Sequence, residues 1–280
     1  MEKRGNEMFY IKIFMRIMAL SLFVLSAYAN TEFPGREKYP QIPFIELEAL
    51  YKQKDKVVII DARSPYEYET LRIRNAELVP LALSTKEFEK EMIRLRTENP
   101  SKKLVFYCNG HNCMKSYKAA RRSIVYLGQG NVFAFDAGVF DWAEKYPDEA
   151  LLLGENLGNA SKLISKEKFK KHFLPAEKFI KQADKSVAIL DIRDRVERDG
   201  FYLFSGFENS ISLNEKDKEK LEEFFIKLKK TKKPLYVYDT VGKQVRWFQY
   251  YIESKGIKDY YFMEGGAEAF FKIPLNNLLD

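Results

Sequence analysis

Residues 57–67 read VVIIDARSPYE, and residues 187–197 read VAILDIRDRVE. Each is an apolar run closed by Asp-x-Arg, with Glu four residues past the Arg; the offset is 130 residues. Two further pairs recur in the same order. LVFYCNGHNCMKSYKAA (104–120) matches LYVYDTVGKQVRWFQYY (235–251), with Cys108 and Asp239 131 residues apart. NVFAFDAGVFDWAEKYP (131–147) matches KDYYFMEGGAEAFFKIP (258–274), with Gly138 and Gly266 128 residues apart. Three features at nearly one spacing predict a duplicated domain of about 115 residues per copy.

Within the first copy, β-rich runs near 57–60, 77–80, 103–107 and 132–135 alternate with helix-like stretches near 44–53, 64–71, 85–97, 115–127 and 138–145. Apolar strands separated by helices predict an α/β fold with a parallel sheet covered on both faces. Such sheets place ligands beyond the carboxyl ends of their strands. Cys108 stands at one such end. The expected division is an N-terminal segment 1–29, a first domain 30–150 and a second domain 151–280. The link is read at 148–162, DEALLLGENLGNASK, which holds two Gly and no clear periodicity.

The chain has 280 residues, 46% of them hydrophobic, so a substantial core is expected rather than disorder. A net charge of +7 favours small anions or acidic partners and is too scattered to argue for nucleic acid. Basic residues lead into IMALSLFVLSAYA, which ends in Ala27-Tyr28-Ala29. This is the pattern of a cleavable secretory signal, with an uncleaved anchor as the alternative. The mature chain is expected to begin near Asn30 and to work in the periplasm or outside the cell, with membrane contact only through that segment.

The only two cysteines, Cys108 and Cys113, flank one of the two histidines, His111. The loop Cys108, Asn109, Gly110, His111, Asn112, Cys113, Met114 runs into a helix near Lys115 and Ser116. Its amides and the helix start make an anion cradle that lowers the pKa of a thiol at Cys108. Gly110 permits the tight turn. A thiolate facing such a cradle suits acceptance and onward transfer of a sulfur or an oxyanion-bearing group. No organic cofactor is implied. A metal at Cys108, His111 and Cys113 would need a further ligand, and no metal is expected. His111 is expected to line the mouth of the site or to stand on the loop without a role. His172 is expected on a solvated helix face, Trp142 and Phe270 in the cores, and the Lys-rich runs 166–171 and 226–233 on solvated faces.

Asp61, Arg63, Glu67, Cys108, Ala119, Ala120, Gly138 and Trp142 together resemble a rhodanese-like domain, and the layout is similar to tandem rhodaneses. The resemblance implies two tandem domains, each a parallel sheet flanked by helices on both faces. It implies a thiosulfate:cyanide-type sulfurtransferase. Cys108 would carry a persulfide between a small sulfur-containing anion and a thiophilic acceptor, and Asn109 through Met114 would form the substrate cradle. A protein sulfur acceptor or a periplasmic reductant would be the partner.

This chain departs from that pattern. Its cysteine lies in the first copy, whereas the second has Asp239 and is expected to be inactive support. The loop is two residues longer than usual, as in the related phosphatases and arsenate reductases. Those phosphatases require Cys-x5-Arg, where this chain has Met114 and then Lys115, a poor substitute for the Arg fork. Cys113 stands where Arg or Ser is usual. It is open as a resolving thiol, as the partner of a resting disulfide, or as a packed small residue. Other functions stay open beside transfer: a non-catalytic sulfur carrier, or a thiol–disulfide or oxyanion reductase using both cysteines. Asp61, Arg63 and Glu67 are expected to be structural, since Asp191 and Arg193 repeat the pair in the copy that lacks the cysteine.

Overall fold

The computed structural model describes residues 33–128, 130–198 and 201–274; the expected export segment 1–29 lies outside them. The elements begin with α1 (Pro34–Lys38), α2 (Leu47–Gln53), β1 (Val57–Asp61), α3 (Pro65–Thr70), β2 (Leu71–Ile73) and β3 (Glu77–Leu78). Next come α4 (Thr85–Glu98), β4 (Lys103–Tyr107), α5 (Lys115–Leu127), β5 (Val132–Phe135), α6 (Gly138–Lys145), β6 (Ala150–Leu152) and β7 (Glu155–Asn156). The second repeat holds α7 (Lys166–Lys170), β8 (Phe173–Leu174), α8 (Ala176–Gln182), β9 (Ala188–Asp191), α9 (Arg195–Arg198) and β10 (Glu208–Ser210). It closes with α10 (Lys218–Thr231), β11 (Leu235–Tyr238), α11 (Val245–Ser254), β12 (Tyr260–Met263) and α12 (Gly266–Phe270). Among the described residues, no helix is long and apolar enough to cross a membrane.

The chain divides into two compact units. One comprises residues through Arg63 and Asn75–Trp142; the other comprises Ser64–Arg74 and residues from Ala143 onward. The first unit is built on a parallel sheet of order β3-β1-β4-β5. All five residues of β1 are buried, as are Leu104–Tyr107 of β4, which is why both read as continuous apolar runs. Each aliphatic or Phe side chain among them contributes roughly 1.5–3 kcal/mol. One face packs Val58, Ile60, Leu104 and Phe106 against Phe88, Met92 and Leu95 of α4 and Ala119 and Ala120 of α5. The helical spacing of the α4 trio makes one stripe, and Ser84 and Glu87 close its start as a capping box. On the other face, Trp142 of α6 meets Phe135 edge-on and Tyr51 of α2.

The second unit repeats the plan in a five-stranded parallel sheet, β10-β9-β11-β12-β8. Leu221, Phe225 and Leu228 of α10 and Phe248 and Ile252 of α11 cover one face; Phe179 of α8 packs on the other, with Phe204 and Tyr238. Each repeat therefore has the expected α/β architecture of a parallel sheet between helices. Segment 64–74 belongs to the second unit: Tyr66 of α3 packs against its core, and β2 pairs with β6. Ser64 and Glu67 form the capping box of α3, so Glu67 has a helix-start role.

Three details differ from the sequence reading. The stretch 148–162 is no bare link, because β6 and β7 form a hairpin about Leu153-Gly154, both at positive φ (51° and 89°). Strands of two or three residues leave no readable period, and the partner strand β2 is remote in sequence. His172 does not face solvent freely; it stacks on Tyr260 with ring centroids 3.9 Å apart, and its Nδ1 lies 3.0 Å from the Tyr260 carbonyl. Trp142 is fully buried, but its counterpart Phe270 is only half-buried.

Candidate functional site

The register of the first sheet sets Asp61, Tyr107 and Phe135 level with one another at its carboxyl edge. The next residue on β4 is Cys108, and the next on β5 is Asp136. The loop 108–114 leaves this edge and ends where α5 begins. Several contacts hold it. The Val139 amide donates to the Cys108 carbonyl (3.0 Å), and the Cys113 amide donates to the Gly110 carbonyl (2.7 Å). The Arg63 guanidinium donates to Asn109 Oδ1 (3.2 Å).

The repeated glycine after β5 has a physical cause. Gly138 sits at φ 74°, and a Cβ there would lie 2.4 Å from the Gly110 nitrogen. Gly266 of the second repeat sits at φ 61°, and a Cβ there would lie 2.5 Å from the Asp239 carbonyl oxygen. Both copies press the turn after this strand onto the loop, and no side chain fits.

Arg63 and Asp61 form a fully buried ion pair, with Nη2 to Oδ2 at 2.6 Å and Nε to Oδ1 at 2.9 Å. The Arg63 amide also donates to Asp61 Oδ1 (2.9 Å). Arg193 and Asp191 repeat these contacts at 2.7, 2.9 and 3.0 Å. The difference lies in what else the guanidinium holds: Asn109 of the cysteine loop in one copy, the Phe201 carbonyl in the other (2.9 Å).

Cys108 and Cys113 are both free thiols. The Cys108 side chain is buried, donates to the Cys113 carbonyl (2.9 Å) and lies 3.6 Å from Ser116 Oγ. Burial pushes its thiol well above the ordinary value, and the neighbouring Cys113 sulfur adds to this. The thiolate favoured by the loop is that of Cys113, brought down to about 6. The neighbouring Cys108 thiol is the largest cause; the amides of Asn109 and Lys115 and the Lys115 ammonium add to it. At Cys108, where a lowered thiol pKa is expected from the sequence, burial acts in the opposite direction, while the start of α5 lowers that of Cys113. Alkylation with iodoacetamide should reflect this. Cys113 should react first, its rate rising with pH through about 6 and then levelling, while Cys108 reacts only on unfolding. Peptide mapping of the alkylated protein checks it, and equal labelling of both would contradict it.

His111 and Asn112 occupy the outer loop, Asn112 exposed. His111 Nε2 lies 2.7 Å from Asp141 Oδ2, and its ring packs 4.4 Å from Phe33. Asp141 had no signal in the sequence; only the fold brings α6 to the loop. Among the described residues no three His, Cys, Asp or Glu side chains converge as a metal-binding group. Met114 packs against the core, and Ser116 is buried beside Cys108. Below the loop, Tyr117 donates to Asp136 Oδ2 (2.7 Å), and Arg36 clamps the same carboxylate (2.8 and 3.1 Å).

The corresponding loop of the second repeat is filled from within. The Asp239 carboxylate accepts backbone N–H bonds from Val241 (3.0 Å), Gly242, Gln244 and Val245 (3.2 Å). Burial raises the Asp239 carboxyl above its usual range, and the four amides oppose that rise. The cradle amides are occupied, so this copy offers neither a thiol nor a vacant anion site.

A model of the rhodanese-like domain matches residues 45–145 and again 176–272. The chain belongs to the rhodanese-like family, with two domains in tandem. No curated protein matches it. Among solved structures it is similar to an As/Sb reductase from Leishmania major, at 22% identity over 40% of this chain and 86% of that one, TM-score 0.35. It is also similar to a thiosulfate sulfurtransferase from Pseudomonas aeruginosa, at 16% identity over 83% of this chain and 45% of that one, TM-score 0.32. A human single-domain sulfurtransferase matches at 20% identity over 37% of this chain and 96% of that one, TM-score 0.29.

Proposed function

We propose that this chain takes sulfane sulfur from thiosulfate, a polysulfide or a persulfide onto the cysteine loop 108–114 and passes it to a thiophilic acceptor. The observation that carries this reading is the pair of thiols Cys108 and Cys113 at the carboxyl end of β4. The Cys108 thiol donates to the Cys113 carbonyl (2.9 Å), and the loop is backed by the start of α5. A thiolate stabilised by amides and a lysine is the nucleophile that sulfane sulfur requires, and the same amides suit an anionic donor. By family resemblance Cys108 belongs to the sulfur-carrying machinery. The second domain, with Asp239 in its cradle, gives support without turnover. The basic and apolar N-terminal segment supports work outside the cytoplasm, where a protein sulfur acceptor or a dithiol reductant would be the partner.

The test is the intact mass of the reduced chain before and after thiosulfate, polysulfide or a low-molecular-weight persulfide, then after cyanide. A gain of about 32 Da that cyanide removes is the expected result. Loss of that gain in Cys108→Ser/Cys113→Ser, with the fold intact by circular dichroism, completes it. No gain with any of the three donors would defeat the reading.

A further inference from the structure

We propose that His111 and Asp141 control which reagents reach Cys108: they latch residues 110–113 as an arm across its sulfur, and an anionic sulfur donor moves the arm aside where a neutral reagent does not. The inference rests on the sulfur-transfer reading, with Cys108 as the sulfur carrier, and adds two residues to it.

Cys108 has 0% of its surface exposed, so a donor cannot touch its sulfur until something moves. The group across it is the Cys113 carbonyl, 2.9 Å away. That contact suits an S–H donor. A thiolate there would face a carbonyl oxygen, and two electron-rich atoms at hydrogen-bond distance repel. Loss of the Cys108 proton and displacement of the Cys113 carbonyl are therefore coupled.

The arm has a fixed root and a fastened tip. At the root, the Val139 amide donates to the Cys108 carbonyl, and Gly138 presses on Asn109 and Gly110. Gly110 stands at φ 149°, so the chain can pivot just beyond the root. The Cys113 amide closes the turn on the Gly110 carbonyl (2.7 Å), which lets 110–113 move as one piece. At the tip, His111 Nε2 lies 2.7 Å from Asp141 Oδ2 in the first turn of α6, and Phe33 packs on the His111 ring. Water reaches both partners, whose side chains are 30% and 38% exposed, so the pair holds the arm by a small margin. A fastening of that strength can open, unlike the buried pair Asp61–Arg63.

The second repeat is an internal control. It keeps the buried pair as Asp191 and Arg193. Three residues beyond Asp239, however, stands Gly242, and three beyond Gly266 stands Ala269. Both latch residues are missing from the copy whose loop is filled by Asp239 and has no thiol to cover. The latch goes with the thiol; the buried pair goes with the fold.

Once the arm is aside, the Cys108 proton passes to water. The thiolate attacks the outer sulfur of thiosulfate, the S–S bond breaks, and sulfite leaves with the bonding pair. The charge of the donor is favoured by Lys115 and the start of α5, so the donor binds the open form better than the latched one and shifts the balance. A neutral reagent has no such preference and meets the latched form.

The experiment uses the full reduced chain and follows Cys108 by peptide mapping after iodoacetamide, below any unfolding concentration of urea. In His111→Ala and Asp141→Ala, Cys108 should label at least about fivefold faster than in wild type. His111→Gln, whose side-chain NH2 still donates to Asp141, should stay near wild type. The thiosulfate concentration that half-saturates the gain of about 32 Da should fall about fivefold in the alanine variants, because less donor binding is needed to offset opening. Loss of a group that simply binds the donor would raise it. Unchanged Cys108 labelling in both alanine variants would overturn the inference. So would labelling quickened by no more than the loss of stability in urea accounts for, or a raised half-saturating concentration. If no form takes sulfur from thiosulfate, polysulfide or a low-molecular-weight persulfide, sulfur transfer falls and the selection of donors with it, and the labelling alone decides the arm.

Discussion

Asp61→Ala should destabilise the first unit by about 3–5 kcal/mol, among the largest single losses this chain can show. Its carboxylate and the Arg63 guanidinium are both fully buried, and four hydrogen bonds from Arg63 end on Asp61. Without the carboxylate, a guanidinium remains in a dry interior with its ion-pair partner gone, still donating to Asn109 Oδ1. Removing one partner of such a pair is far worse than removing both. The double change Asp61→Leu with Arg63→Met should therefore recover much of the loss in stability. It should not recover the placement of Asn109, so sulfur uptake should stay low. Urea unfolding followed by tryptophan fluorescence can assign the transition, because the two tryptophans divide as Trp142 in the first unit and Trp247 in the second. A loss below about 1 kcal/mol for Asp61→Ala would show that the pair is not the anchor its burial suggests.

Asp239→Ala should give a loss of similar size, on the order of 3–5 kcal/mol, in the transition of the second unit. Four backbone donors end on this carboxylate. Each buried donor left unpaired costs roughly 1–3 kcal/mol, and relaxation of the loop reduces the total below their sum. Asp239→Asn should lie between the two, since one amide oxygen still accepts while the NH2 group faces N–H donors. Sulfur uptake on the cysteine loop should be unchanged in Asp239→Asn. The check is the same unfolding measurement, read with intact-mass uptake. A loss under about 0.5 kcal/mol for the alanine variant would mean that water or loop movement satisfies the amides without the carboxylate.

Much of the architecture was legible in the chain. The Asp-x-Arg repeats, the buried runs of β1 and β4, and the glycines at 138 and 266 each follow from local rules: an apolar run long enough for a buried strand, or a backbone position no side chain tolerates. The strand end at Cys108 was legible for the same reason, because an apolar run stops there and a helix starts seven residues later. The hairpin at 150–156 was not, since its strands are too short to carry a period. Nor was the membership of 64–74, whose helix-start signal says where α3 begins but not which core receives Tyr66.

Sequence alone determined the duplication, the parallel α/β class, and the place where a reactive thiol could stand. These depend on periodicity and on residue types along one stretch of chain. Tertiary structure decided which of the two cysteines is buried and which is partly open, that His111 is held by Asp141, and that the Asp239 carboxylate fills its own loop. Each of these depends on the direction of a side chain and on its distance from amides, charges and water. Burial and electrostatics act through space, and spacing along the chain does not encode them.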